Sequence, residues 1–136
     1  MKKIFIDTNI LLDVILHRDG FFMVSAKLWA DCECGKIQGF ISAISLNNMH
    51  FIMRKITGMD MALEYLRIVM DIFTIVPLDE TILRDSLNSP YKDFEDAIQL
   101  FSAVKAQTDF IITRDPNHFP KNYMAVLSPV QYYSGQ

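Results

Sequence analysis

The chain opens on a short apolar run, Lys3–Ile6, that stops at Asp7, and the same kind of run returns at intervals down the sequence. A near-continuous apolar block reads as a strand buried on both faces, whereas apolar positions three and four apart read as one face of a helix. Strands are therefore predicted at Lys3–Ile6, Gly39–Ser42, Phe73–Val76, Phe110–Thr113 and Met124–Leu127. Between them, Asn9 to Leu16 carries Ile10, Leu11, Val14 and Ile15 at helical spacing. Ser25 to Gly35 turns Ala26, Leu28, Trp29 and Cys32 inward and stops at Gly35. Ser45 to Ile56 and Asp60 to Asp71 form two helices broken by Thr57-Gly58, with Asp60 as the expected N-cap of the second. Asp79 to Leu87 is a short helix, and Asp93 opens a strongly amphipathic one through Phe94, Ala97, Ile98, Phe101 and Val104. Strands alternating with helices predict an α/β fold, a parallel sheet covered on both faces and joined by right-handed crossovers. No repeat, low-complexity stretch or linker interrupts the pattern, so residues 1–136 are read as one domain.

Composition narrows the picture. Just over half of the 136 residues are apolar, with 10 Phe and 8 Met, which suffices for a core without disulfide staples and excludes a disordered chain. The apolar runs are too short to span a bilayer, and Asp7 interrupts the only block that could begin a signal peptide, so no membrane association and a cytoplasmic location are expected. Cys32 and Cys34 lie two apart in a helix, point to different sides and have no further zinc ligands nearby, so both are expected as reduced structural thiols. The net charge of −3 gives no support to broad capture of nucleic acid. Any such chemistry must come from a local site with its own bases or bound cations.

In a parallel sheet ligands sit beyond the carboxyl ends of the strands. Two acids fall at such ends, Asp7 after the first strand and Asp115 just beyond Thr113. Either alone is an ordinary turn or cap residue. A third, Asp96, lies in the first turn of the helix leading into the fourth strand, at the edge of its buried face. Stabilisation of the helix dipole, about 0.3–1 kcal/mol, explains an acid in that turn, but Asp93 and Glu95 serve that purpose equally. Carboxylates brought together repel unless a cation joins them. Oxygen ligands with few His or Cys suit Mg²⁺ or Mn²⁺, and such a site activates water for attack on a phosphodiester.

Four segments carry a resemblance. Ile4-Phe5-Ile6-Asp7-Thr8-Asn9-Ile10-Leu11 looks like the opening of the PIN-domain nucleases, and Ile41-Ser42-Ala43-Ile44-Ser45-Leu46 resembles their second strand and helix start. Asp93-Phe94-Glu95-Asp96-Ala97-Ile98-Gln99 resembles the helix bearing a later acid, and Ile111-Ile112-Thr113-Arg114-Asp115 the closing T-x-D signature. The four stand in order over nearly the whole chain. The resemblance implies a three-layer α/β/α PIN fold with a parallel sheet of four to five strands in the order 3-2-1-4-5. It implies a divalent metal held by Asp7, Asp96 and Asp115, endoribonuclease activity on RNA, and a homodimer. Many bacterial relatives are toxins, which implies an antitoxin partner. Thr8 or Asn9 and Thr113 would orient the ligands by hydrogen bonds.

The departure is at the second acid, since the family usually places Glu where this chain has Asn48. An amide oxygen brings no charge, so metal affinity should fall unless Asp93, on the same helix face as Asp96, supplies it. Asp13 is a further candidate for the crevice, His50 and His118 for phosphate contact, and Arg54, Lys55 and Arg114 for the RNA backbone. Two other readings compete with the ribonuclease. One is a PIN-like module that binds RNA or a protein and cuts poorly because of Asn48. The other is a phosphatase with Asp7 as nucleophile, which would need an acid where Asn9 stands. The Met and Phe residues among positions 49, 52–53, 61 and 70–73 are expected in the core, any exposed share of them forming a partner surface.

Overall fold

The computed structural model describes residues 1–135. Five short strands, β1 (Lys2–Ile6), β2 (Ile37–Ser42), β3 (Thr74–Val76), β4 (Phe110–Ile112) and β5 (Ala125–Leu127), form one sheet in the order β3-β2-β1-β4-β5. Every pairing is parallel. This is the fold class and strand order expected. The helices are α1 (Thr8–Ile15), α2 (Phe22–Glu33), α3 (Ala43–Thr57), α4 (Met59–Ile72), α5 (Glu80–Asn88), α6 (Phe94–Lys105) and α7 (Pro129–Ser134), with a 3-10 turn at Pro116–His118.

Alternate strand residues feed two cores, as a pleated sheet buried on both sides requires. Ile4, Ile6, Ile41 and Ile112 face one way and pack with side chains of α1 to α4 and with Tyr132 of α7. Phe5, Phe40 and Ile111 face the other way, against Ile82 of α5 and Ile98 and Ala103 of α6. Gly39 of β2 is fixed by packing, because a Cβ there would meet Cys32 Sγ and Phe73 Cδ1 at 2.8 Å each. Burial, followed by the nearby Asp31 and Cys34, pushes the Cys32 thiol up to about 12, which makes it inert. Cys34 is exposed, and both thiols are free. Among the described residues no helix is long and apolar enough to cross a membrane.

Several local expectations need correction. Asp60 is not the N-cap of α4; Gly58 occupies that position with φ +87°, a left-handed conformation that glycine adopts without a Cβ penalty, and Asp60 lies inside the first turn. Thr113 falls just outside β4, and α7 was not foreseen. Met49, Met53 and Phe73 are buried, but Met61 and Met70 lie on the exposed side of α4, and Phe51 of α3 is also exposed. Asp93 opens α6 as expected, and Asp79, expected as the first residue of its helix, is the N-cap of α5; each carboxylate accepts a hydrogen bond from the backbone N–H three residues on.

Candidate active site

The strand order changes direction at β1, which has β2 on one side and β4 on the other, and the crevice of such a sheet opens at the carboxyl ends of these strands. Asp7 follows β1 directly. Its backbone N–H continues the ladder to the Ile112 carbonyl at 3.0 Å, which holds the residue rigidly at the sheet edge. Its Oδ2 accepts a hydrogen bond from Thr113 Oγ1 at 2.8 Å, and Thr113 Oγ1 in turn accepts from the Asp115 backbone N–H at 3.3 Å. One hydroxyl thus joins the first acid to the loop carrying the last. Asp7 is 7% exposed. Burial pushes its pKa up, and the Thr113 and Gln99 side chains with the Asn9 and Thr8 backbones draw it back only in part.

The first turn of α6 brings three more acids. Asp93 is committed to capping, its Oδ1 accepting from Asp96 N at 3.0 Å. Burial first, then the charges of Asp93, Asp7 and Glu95, push the Asp96 pKa up to about 6, while His118 pulls it the other way. Glu95 is raised likewise, by burial and then by Asp93 and Asp7, and is eased by the amide of Asn48. Asp7 therefore acts electrostatically on both Glu95 and Asp96. Asp115 is exposed and pairs with His118 Nε2 at 3.1 Å, and His118 lines one depression with Asp96. Two adjoining depressions result. One is lined by Tyr91, Lys92, Asp93, Asp96 and His118, the other by Thr8, Asn9, Asn48, Phe51 and Glu95 with apolar flanks.

The remaining expected residues divide. Thr8 braces the site, its backbone N–H donating to Gln99 Oε1 at 3.3 Å and its hydroxyl sharing a 2.6 Å hydrogen bond with Ser45 of α3. Asn9 is exposed and touches Arg18 at 3.5 Å. Asn48 reaches the depression with a buried Nδ2 that has no hydrogen-bond partner, and His50 Nε2 is equally unpaired. Asp13 is neither an exposed acid nor a crevice ligand. It is fully buried and holds Arg114 through two contacts and Arg18 at 3.4 Å. Arg114, expected at an RNA backbone, is thereby engaged inside the protein, with its guanidinium 3.9 Å from the Phe21 ring centre. Arg54 and Lys55 flank the exposed Phe51 ring at 5.4 and 4.0 Å.

Reading the sequence overlooked Gln99 and gave Glu95 only a dipole role. Gln99 had a signal, a polar residue between Ile98 and Leu100 on a helix whose every neighbour there is buried, and a buried amide needs partners. Among the described residues no three His, Cys, Asp or Glu side chains are already gathered to hold a metal ion. The donor set still suits a hard cation, being made of oxygen ligands whose carboxyl pKa values are raised by crowding and burial, the imbalance a cation would relieve.

This imbalance makes stability depend on pH in the metal-free protein. Between about pH 4 and pH 6 the folded state holds a proton on Asp96 that the unfolded chain, with its ordinary value near 3.8, has lost. Stability therefore rises as pH falls through about 6, and the penalty is fully present above it. Asp96→Asn should melt higher than the parent at neutral pH in EDTA, with the gap closing as the pH is lowered to about 4. Calorimetric scans of both proteins check this; a gap that stays constant would mean Asp96 is not under strain.

Comparison with known proteins places this arrangement in a class. The sequence matches the PIN domain family over residues 3–117. The chain belongs to the PIN domain family. No curated protein sequence matches it. Among solved structures it is similar to a toxin–antitoxin complex from Klebsiella pneumoniae, at 25% identity and a TM-score of 0.69, covering 92% of this chain and 96% of that one. FitAcB from Neisseria gonorrhoeae is 18% identical with a TM-score of 0.72, covering 93% and 98%. VapC20 of Mycobacterium tuberculosis, described as a toxin that cleaves the sarcin–ricin loop, is 14% identical with a TM-score of 0.68, covering 85% and 92%.

Proposed function

We propose that the protein is a Mg²⁺- or Mn²⁺-dependent endoribonuclease, the toxin of a toxin–antitoxin pair, acting in the cytoplasm. The observation that carries this reading is the placing of Asp7, 7% exposed at the end of β1, where Thr113 Oγ1 joins it to the loop bearing Asp115 and where its charge helps to push up the pKa of Asp96 on α6. Asp7, Asp96 and Asp115 would hold the cation, which when bound supplies charge neutralisation and a more acidic water for phosphodiester hydrolysis.

The chain's own groups prepare that chemistry. Thr113 fixes Asp7 Oδ2 at 2.8 Å, and Gln99 secures the turn behind it through Thr8. His118, paired with Asp115 and lining one depression with Asp96, can donate a hydrogen bond to a phosphate oxygen or carry a proton to the leaving group. Lys92 beside Asp96 and the Arg54–Phe51–Lys55 cluster beside Glu95 put cations and one stacking ring at the crevice rim, suited to single-stranded RNA. An antitoxin partner, a homodimer and a single-domain enzyme over residues 1–136 belong to the same reading. The exposed Met61 and Met70 of α4 offer apolar surface for such partners.

The test is incubation of the purified protein with structured and unstructured RNA in Mn²⁺, Mg²⁺ or EDTA. Cleavage is expected with either metal and none in EDTA. RNA that is bound but left intact under every condition would instead favour the binding module, the reading to which Asn48 lends weight.

A further inference from the structure

We propose that Glu95 takes over as ligand from the acid missing at position 48, with Asn48 changed from a ligand into the group that positions the Glu95 carboxylate. The inference rests on the metal-dependent reading of the site and concerns which residues complete it.

Asn48 on α3 and Glu95 on α6 line the same depression, together with Thr8 and Asn9 immediately after Asp7. The Asn48 Nδ2 is buried and lacks an acceptor, although an amide N–H shut away from water demands one. Glu95 is the carboxylate that lines this depression with Asn48, and its exposed side chain has the freedom to complete the bond. A carboxylate held through one oxygen by an amide keeps the other free for a cation.

The other acids of the first turn are spoken for. Asp93 caps α6 through Asp96 N, which ties its Oδ1 to the backbone, and it lines the depression on the far side with Asp96 and His118. Consecutive helix residues project about 100° apart, and Glu95 and Asp96 line different depressions, Glu95 sharing its own with Thr8 and Asn9, the two residues that follow Asp7. On this assignment the charge absent from α3 at Asn48 is supplied by α6 through Glu95.

Calorimetric titration with Mn²⁺ alone, without RNA, tests this on the parent, Asp7→Asn, Glu95→Gln, Asn48→Ala and the exchange variant Asn48→Glu/Glu95→Gln. Glu95→Gln should weaken Mn²⁺ binding about tenfold or more, as loss of one charged ligand does, and Asn48→Ala by a smaller factor. The exchange variant should recover most of the parent's affinity, since it returns the charge to α3. Glu95 is exposed, so circular dichroism is expected to be unchanged. If Asp7→Asn loses Mn²⁺ while Glu95→Gln binds it as the parent does, Glu95 is only a solvated helix acid and this inference fails alone. A parent that takes up no Mn²⁺ overturns the metal reading and this inference with it.

Discussion

Asp7→Asn should abolish metal-dependent RNA cleavage while leaving the thermal transition of the metal-free protein unchanged or raised. Asn keeps the acceptor that Thr113 Oγ1 uses at 2.8 Å, so the turn after β1 retains its brace. What disappears is a negative charge in a site only 7% exposed, where burial already disfavours it. The folded protein is therefore relieved by the change. Catalysis is not, because a metal's stabilisation of transition-state charge amounts to several kcal/mol, which corresponds to about a hundredfold or more in rate. Single-turnover cleavage of a labelled RNA, paired with a melting curve, measures both sides. A variant that cuts as fast as the parent removes Asp7 from the mechanism.

The second large effect is expected away from the metal. Arg114 lies between Thr113 and Asp115, and its guanidinium reaches across to Asp13 of α1, which is fully buried. Replacing Arg114 with Met leaves that carboxylate with Arg18 alone, at 3.4 Å. Breaking a buried pair by removing one partner is strongly destabilising, here roughly 2–3 kcal/mol because Arg18 compensates in part. The loop bearing Asp115 loses its anchor in the same step, so cleavage should fall as well. Removing both charges, with Asp13→Leu added to Arg114→Met, should return most of the stability without restoring cleavage, because no buried ion is left orphaned and Arg18, 31% exposed, can turn to solvent. Urea denaturation separates the cases. A single variant within about 0.5 kcal/mol of the parent would show Asp13 to be satisfied without Arg114.

The candidate site was legible wherever its residues are fixed by local pattern. Apolar runs ending in an acid set Asp7 and Asp115 beyond β1 and β4, and the amphipathic stripe of α6 put Asp96 in a first turn opened by the Asp93 cap. The role proposed for Glu95 was not legible, because it depends on the depression that Glu95 shares with Thr8 and Asn9 and on an unpaired amide from another helix. His118 was a candidate for phosphate contact, but its pairing with Asp115 was not legible, since it depends on the turn at Pro116–His118.

The sequence by itself determined the element types and the two-sided burial of the sheet, since both follow from the period of apolar positions along a short stretch. It missed α7, which has too few residues to show a period, although Ser128 and Gln131 form a capping box there. Asp60 read as a cap because Asp is a favoured one, but the left-handed turn at Gly58 takes that position. Only the tertiary structure decided the pairs that hold the site: Thr113 with Asp7 across 106 positions, Gln99 with Thr8 across 91, and Arg114 with Asp13 across 101. Such partners share no local period. Their meeting depends on the parallel β1–β4 register and on the packing of α6 against the sheet, which bring distant residues to one edge.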